Sequence, residues 1–376
     1  MSQTGAKIVV VGAGIVGAAC AAALAKEGFG VLVLDAGCMA GGATAAGMGH
    51  IVVMDDSEAQ FALTEYSRRL WGQLKEALPK SAEYHSSGTM WVAADADEMA
   101  EVERKRAYFA RRGVRAEVLD ARALAEAEPN LRPGLAGGLR VAGDGVVYPP
   151  VVAATLLEQA KRSGAQVRTH ARVKRLEGRS VLLESGENIG CDMAVNAAGS
   201  WSPALTAGLP IRPRKGHLAI TDRYPGYVRH HLVELGYLKS AHSVDGDSVA
   251  FNVQPRVTGQ LLIGSSRQFD DDSPEIRLGI LRKMMARAVE YLPGLGELTV
   301  IRTWTGFRAA TPDKLPLIGP MPGHEGLWLA TGHEGLGITT SLGTARLLVD
   351  AMLGRKPEIP MEPYLPSRPG REAGHG

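Results

Sequence analysis

The sequence predicts a chain that is α/β in one domain and α+β overall. A nucleotide-binding domain on a parallel sheet is interrupted by a second domain on an antiparallel sheet. Three stretches predict this. Residues 7–35, KIVVVGAGIVGAACAAALAKEGFGVLVLD, read as strand, glycine turn, helix and strand. Residues 211–264 alternate apolar and polar side chains between glycines and aspartates, the pattern of an antiparallel sheet. Near the end, TGHEGLGITTS repeats the strand–glycine turn–helix order. The nucleotide domain therefore draws on 1–55, 140–212 and 302–362. The second domain takes 56–139 and 213–301, and 363–376 is a loose tail.

In the first unit each glycine has a task. Gly12, Gly14 and Gly17 stand at G-x-G-x-x-G spacing after the apolar run Ile8–Val11. Gly12 permits the tight turn, Gly14 the approach of a diphosphate to the backbone, and Gly17 close packing of helix on sheet. Free N–H groups at the helix start face the anion. Asp35 closes the second strand, placed to accept from a ribose 2′-hydroxyl and to repel a 2′-phosphate. A glycine-rich turn without a ligand does not explain the strand, helix, strand and acid together. A leader peptide or a membrane span over Ile8–Ala25 does not explain three spaced glycines. The unit is read as the first strand and helix of the domain.

With 376 residues the chain is long enough for two cores. A hydrophobic content of 45% and a charged content of 22% are those of an ordinary globular protein. A net charge of +2 without a basic stripe argues against nucleic acid. No apolar stretch beyond residue 35 reaches membrane-spanning length. Cys20, Cys38 and Cys191 lie far apart without metal spacing, which predicts buried, reduced thiols and no metal. The expected location is cytoplasmic, with peripheral association at the inner membrane left open.

The remaining elements follow in order. Residues 36–50, AGCMAGGATAAGMGH, predict a loop of small residues lying against a flat ligand. Asp56 and Ser57 cap a helix carrying Phe61, Leu63, Leu70, Trp71, Leu74 and Leu78. A strand in 84–94, a helix over 95–112 capped by Asp95 or Asp97, a strand at VRAEVLD and a short helix ended by Pro129 come next. After a DG turn at Asp144-Gly145, Pro149 opens a helix running to about Arg162. Short strands lead to NAAG at 196–199. Beyond the alternating region, a helix is expected over Pro274–Tyr291, then the strand LTVIRTWTGFRA. A proline-rich loop, the strand GLWLAT and a closing helix ITTSLGTARLLVDAML complete the chain.

Taken in this order, VVVGAGIVG…D, GATAAGMG, DGVVYPP, NAAGSWS, RKGHLAIT, GFRAATPDKLPLIG and ATGHEGLGIT resemble the D-amino-acid oxidase superfamily of FAD enzymes. The likeness is nearest its glycine oxidase and D-amino-acid dehydrogenase side and spans nearly the whole chain. A narrower likeness, in GYLKSAH, VAFNVQPRVTGQLLIGSSRQ and GHEGLGITTS, is to the FAD subunit of bacterial D-hydroxyproline dehydrogenases. The resemblance implies a Rossmann-like FAD-binding domain of the glutathione-reductase type with a discontinuous antiparallel-sheet substrate domain. It implies FAD contacts at Gly12, Gly14, Ile15, Val16, Gly17, Asp35 and Ala36, and along the loop at Ala43, Thr44, Gly47, Met48 and Gly49. It adds Val173, Ala197, Gly199, Trp201 and Gly306, and at the end Gly332, Gly335, Leu336, Gly337, Ile338 and Thr339. Two departures stand out. Gly306 occupies the position where the sarcosine oxidase branch has a flavin-linking cysteine, so FAD is expected to be noncovalent. Tyr148 stands where an aspartate is common.

A nicotinamide enzyme could share residues 7–35, but it has no need of the second glycine turn. In the FAD reading the backbone from Gly335 to Ile338 faces the flavin pyrimidine, and the helix end favours an anionic reduced ring. His333 and Glu334 are read as loop residues with a backbone role. The resemblance places the substrate-carboxylate arginine at Arg308, whose planar fork matches a carboxylate. An arginine taken at random is usually a surface residue; the aligned motif reverses that. Tyr237 is a second candidate for the carboxylate, with an ordinary sheet tyrosine an equal alternative. His50 is a candidate to touch substrate or flavin, although a lone loop histidine is more often structural. Lys239, His217, Arg267 and His242 rank below these. The expected reaction is oxidation of a small amino or imino acid, with hydride passing from Cα to flavin N5 to give an imine. Placement matters more than a strong base in such a transfer. A quinone or dye acceptor and partner subunits are left open. An NAD-dependent dehydrogenase and a non-catalytic nucleotide-binding subunit are the alternatives.

Overall fold

Strand Lys7–Val11 is buried on both sides and forms the axis of a six-stranded sheet. The computed structural model describes residues 5–236, 247–269 and 271–369. In that sheet the strand order is Leu317–Pro320, Leu327–Thr331, Met193–Asn196, Lys7–Val11, Gly30–Leu34, Gln166–Arg168. All neighbours are parallel except the first pair. Because side chains alternate along a strand, Ile8 and Val10 face one core and Val9 and Val11 another. The first core is closed by helices Ile15–Lys26, Pro149–Arg162 and Gly337–Met352. The second is closed by a three-stranded meander, Val173–Glu177, Ser180–Leu183 and Asn188–Gly190. The sheet is thus helix-covered on one face and meander-covered on the other. Fully burying one such valine is worth about 1.5–3 kcal/mol.

A second sheet has eight strands, with Val300–Ala310 at one edge, then Arg212–Arg223, Gln260–Arg267, Ser248–Pro255, His231–Glu234, Thr89–Ala93, Gly137–Val141 and Glu117–Asp120. It is antiparallel except where His231–Glu234 runs parallel to Thr89–Ala93. That pair departs from the expected all-antiparallel sheet, since apolar–polar alternation carries no information on strand direction. Val300–Ala310 is paired along its length with Arg212–Thr221. The expected division at residue 302 therefore cuts through a strand of this sheet.

Several local expectations meet their structure. Ser57 caps helix Glu58–Leu74 by accepting from the Gln60 N–H. Asp95 caps Ala96–Ala110 in the same way, through Glu98. Three local expectations change. The helix expected from Pro274 begins only at Leu278, because His217 Nε2 accepts the Arg277 N–H and Asp271 pairs with the Arg277 guanidinium. Residues 36–50 contain a short helix, Gly42–Ala46, rather than loop alone. Of the three thiols, Cys20 is buried and its pKa is pushed up to about 12 by burial, Cys191 is half-buried, and Cys38 is exposed.

Candidate functional site

A cavity of about 810 Å³ opens between the two sheets and is lined by residues of both. Its first wall is the glycine turn. Gly12 has φ +114°, and a methyl there would come within 2.4 Å of the Ala197 carbonyl oxygen. Gly17 packs so closely that a Cβ would lie 1.9 Å from Gly12 O. It therefore joins helix to strand and does not line the cavity, whereas Gly14, Ile15 and Val16 do. Thr44 Oγ1 accepts the Ile15 N–H at 2.9 Å and ties the small-residue segment to the helix start. Asp35 also lines the cavity. Its Oδ2 accepts from Ala13 N at 2.7 Å and its Oδ1 from Gly37 N at 2.8 Å. A carboxylate has about four acceptor positions, so two backbone bonds leave room for a ribose hydroxyl.

Every expected cofactor residue lines the cavity except Gly17, Leu336 and Thr339. Thr339 is turned the other way. Its hydroxyl donates to His50 O at 2.8 Å, and its carbonyl accepts from Trp71 Nε1 at 2.8 Å. It anchors the closing helix to strand His50–Ile51. Leu336 is the residue before that helix, with its N–H bonded to His333 O. Gly335, Gly337 and Ile338 bring the start of the closing helix to the cavity. Gly306 faces the short helix across the cavity floor, where a Cβ would meet Ala46 Cβ at 2.5 Å. A larger side chain, such as a linking cysteine, has no room there without displacing the segment.

The far wall is built by the eight-stranded sheet. Arg308 is partly buried in it, and Nη1 donates to Ser266 O at 3.1 Å. Burial first, then Arg214, lowers its pKa from the usual guanidinium value, while Glu334 opposes the shift. Glu334 has more than the backbone role expected of it. Its Oε1 accepts from Arg214 Nη1 at 2.7 Å in a nearly buried pair beside Arg308. His333, buried and bonded to Thr344 Oγ1, has its pKa pushed down to about 3 by burial. His50 lines the cavity and stacks on His231, with ring centroids 3.6 Å apart. Burial, then His231, holds the His50 pKa well below the ordinary value, with Arg308 adding to the effect. His231 is pushed down to about 4 by burial and bonds through Nε2 to Asn252 Oδ1 at 3.0 Å. Burial thus favours the neutral form of both imidazoles, and the buried His50 Nε2 has no hydrogen-bond partner among the described residues.

Tyr237, with Lys239 and His242, lies outside the described residues. His217 is turned away from the cavity, held by Ser266 Oγ and the Arg277 N–H. Sequence reasoning did not single out His231 or Asn252, and it ranked Arg267 low, yet Asn252 and Arg267 line the cavity. Their one sequence signal is their place on alternating strands, which does not say which face meets the cavity.

A glycine-walled cavity with a helix start at each of two walls and a partly buried arginine on its lining defines a nucleotide-cofactor oxidoreductase. A family model described as FAD dependent oxidoreductase (DAO) matches residues 7–351, and the chain belongs to that family. FAD is its cofactor, and the cradle at Gly12 and Gly14 fits a diphosphate. Among curated relatives, glycine oxidase of Pseudomonas putida is 30% identical, with 96% of this chain and 98% of the relative covered. A D-amino acid dehydrogenase of Methylobacterium nodulans is 31% identical over 80% of this chain and 71% of its own. The crystal structure of glycine oxidase from Geobacillus kaustophilus superposes with a TM-score of 0.86 at 25% identity, covering 96% and 99% of the two chains. No helix of the described residues is long and apolar enough to cross a membrane.

Proposed function

We propose that the protein oxidises a small amino or imino acid at its α carbon, giving an imine that then hydrolyses. The reading is supported by the names of the relatives and carried by one observation, the partly buried Arg308 guanidinium lining the same cavity as the glycine cradle. A guanidinium has five N–H donors, so the single bond to Ser266 O fixes its plane and leaves a fork for the substrate carboxylate. Bound FAD supplies the two-electron acceptor. Arg308 fixes the carboxylate end, and its rigid placement sets where Cα–H points. His50 lines the same cavity beside this end of the substrate. The Met48 carbonyl accepts from Gln254 Nε2 at 2.8 Å, and the Ala46 carbonyl from Trp304 Nε1 at 3.2 Å. These bonds hold the small-residue segment between the two sheets, where it screens the reacting face from water. In the same reading, residues 1–55, 140–212 and 302–362 hold the cofactor, 56–139 and 213–301 hold the substrate, and a quinone or dye takes the electrons in preference to oxygen.

The test is anaerobic titration of the holoenzyme with D- and L-amino acids, proline, hydroxyproline, glycine and sarcosine. Bleaching of the flavin bands by at least one of these is expected. A flavin that none of them reduces would overturn the reading and favour a non-catalytic subunit.

A further inference from the structure

We propose that Arg267 is a second binding residue of this site, acting with Arg308 on one substrate carboxylate. The inference rests on the amino- or imino-acid reading and names a residue which that reading leaves out. Its basis is strand order. Val300–Ala310, Arg212–Arg223 and Gln260–Arg267 are consecutive neighbours, so Arg308 and Arg267 are separated by the middle strand. At the crossing the middle strand carries Gly216. A methyl there would stand 2.5 Å from Arg308 Nη1, so the absent side chain leaves a lane for the guanidinium. Arg308 lies along that lane and reaches the carbonyl of Ser266, the residue just before Arg267.

The third strand then presents Arg267 to the same space. Ser266 turns its hydroxyl to His217, accepting from the backbone N–H at 2.8 Å and meeting Nδ1 at 3.0 Å. Alternation puts Ser265 and Arg267 on the other face, and both line the cavity. Two guanidiniums therefore line one cavity. Arg267 is partly buried, and its pKa is brought down to about 9, by desolvation first, then by Arg308 and Arg214, with Glu334 and Asp56 opposing. Glu334 is already engaged with Arg214. A carboxylate set between Arg308 and Arg267 relieves the repulsion between them and accepts from both, as charge-assisted hydrogen bonds require. Arg267 thereby helps fix the angle at which the carboxylate lies and, through it, the position of Cα.

The experiment measures binding of pyrrole-2-carboxylate to the holoenzyme through the change in flavin absorbance, with pyrrole-2-carboxamide as the neutral control. Arg267→Met is expected to weaken the carboxylate by about tenfold or more and to leave the carboxamide unchanged. KM for the amino acid should rise more than kcat falls, and FAD content should hold. If Arg267→Met does not fold or loses FAD, Arg267→Lys serves instead. A tenfold loss for carboxylate alone supports the inference, and unchanged affinity overturns it. If Arg308→Lys weakens the carboxylate and neither Arg267 variant does, only this inference fails. If neither residue matters, the whole placement of the substrate site fails with it.

Discussion

Replacing Arg308 separates charge from geometry at the centre of the site. Arg308→Lys keeps a cation in the lane over Gly216 but loses the planar fork, and with it one of two parallel bonds to a carboxylate. A hydrogen bond to a charged group contributes about 1.5–3 kcal/mol, and each ~1.4 kcal/mol is a factor of ten. The lysine variant should therefore lose roughly tenfold to a hundredfold in kcat/KM. Arg308→Ala should lose more, since a loosely held substrate also misplaces Cα and slows the chemical step. The alanine variant leaves Ser266 O without its donor and opens space beside Gly335, whose Cβ position lies 3.7 Å from the Arg308 side chain. A modest drop in Tm should follow. The assay is steady-state turnover with a reducible dye, alongside FAD content, Tm and an amine lacking the carboxylate. That amine should be a poor substrate of the wild type and little changed by either substitution. Suppose the alanine variant strips the flavin, while the residual holoenzyme keeps a normal KM for the amino acid. Arg308 would then be structural, and the proposed orientation of the substrate would be wrong.

Three further outcomes are expected. FAD should be released to the supernatant on acid precipitation, because Gly306 offers no thiol and abuts Ala46; colour kept in the washed pellet would contradict this, and Gly306→Ala should lower FAD retention by displacing the 42–46 segment. Asp35→Ala should weaken FAD binding by about 1.5–3 kcal/mol and lower Tm as well, since the carboxylate also holds Ala13 N and Gly37 N; unchanged affinity in apoprotein titration would remove Asp35 from the ribose. Asp144 is buried, and its pKa is raised to about 6 from an ordinary 3.8, so folding binds its proton more tightly and its contribution to stability is lost as pH rises from about 4 through 6. The unfolding free energy of Asp144→Asn relative to wild type should therefore grow by up to about 3 kcal/mol between pH 4 and pH 7; a difference that stays flat with pH would show that the shift is not there.

What the sequence made legible was whatever a local rule dictates. The fingerprint turn could be read because one peptide geometry at Gly12 and one packing distance at Gly17 admit only glycine. Ser57 and Asp95 could be read because a cap acts within three residues. Arg308 was reached through an ordered series of motifs rather than through any property of its own surroundings. What stayed hidden depends on register across long separations. Arg214 meets Glu334 because Arg214 pairs with Arg308 while Ala309 bridges Glu334, and no window of sequence contains all four. The His50–His231 stack likewise joins strand His50–Ile51 to a strand whose parallel pairing the alternation could not disclose.

The two mid-strand glycines show why the site lies where it does. A glycine inside a strand weakens it and commonly marks a close approach of another group. Gly216 and Gly306 are direct partners in one antiparallel pair, so both present the same face. Each would collide with a different neighbour if given a methyl, Gly216 with the Arg308 guanidinium and Gly306 with Ala46. Together they leave two facing positions of this strand pair without side chains. Into that space come Arg308 from one side and the small-residue segment tied by Thr44 to the fingerprint helix from the other. Leu218 and Trp304, paired two residues further on, carry large side chains where Gly216 and Gly306 carry none. Loss of strand stability at two positions is thus offset by bringing the cofactor cradle and the arginine wall to one cavity, which is the arrangement a transfer from Cα to a bound ring requires.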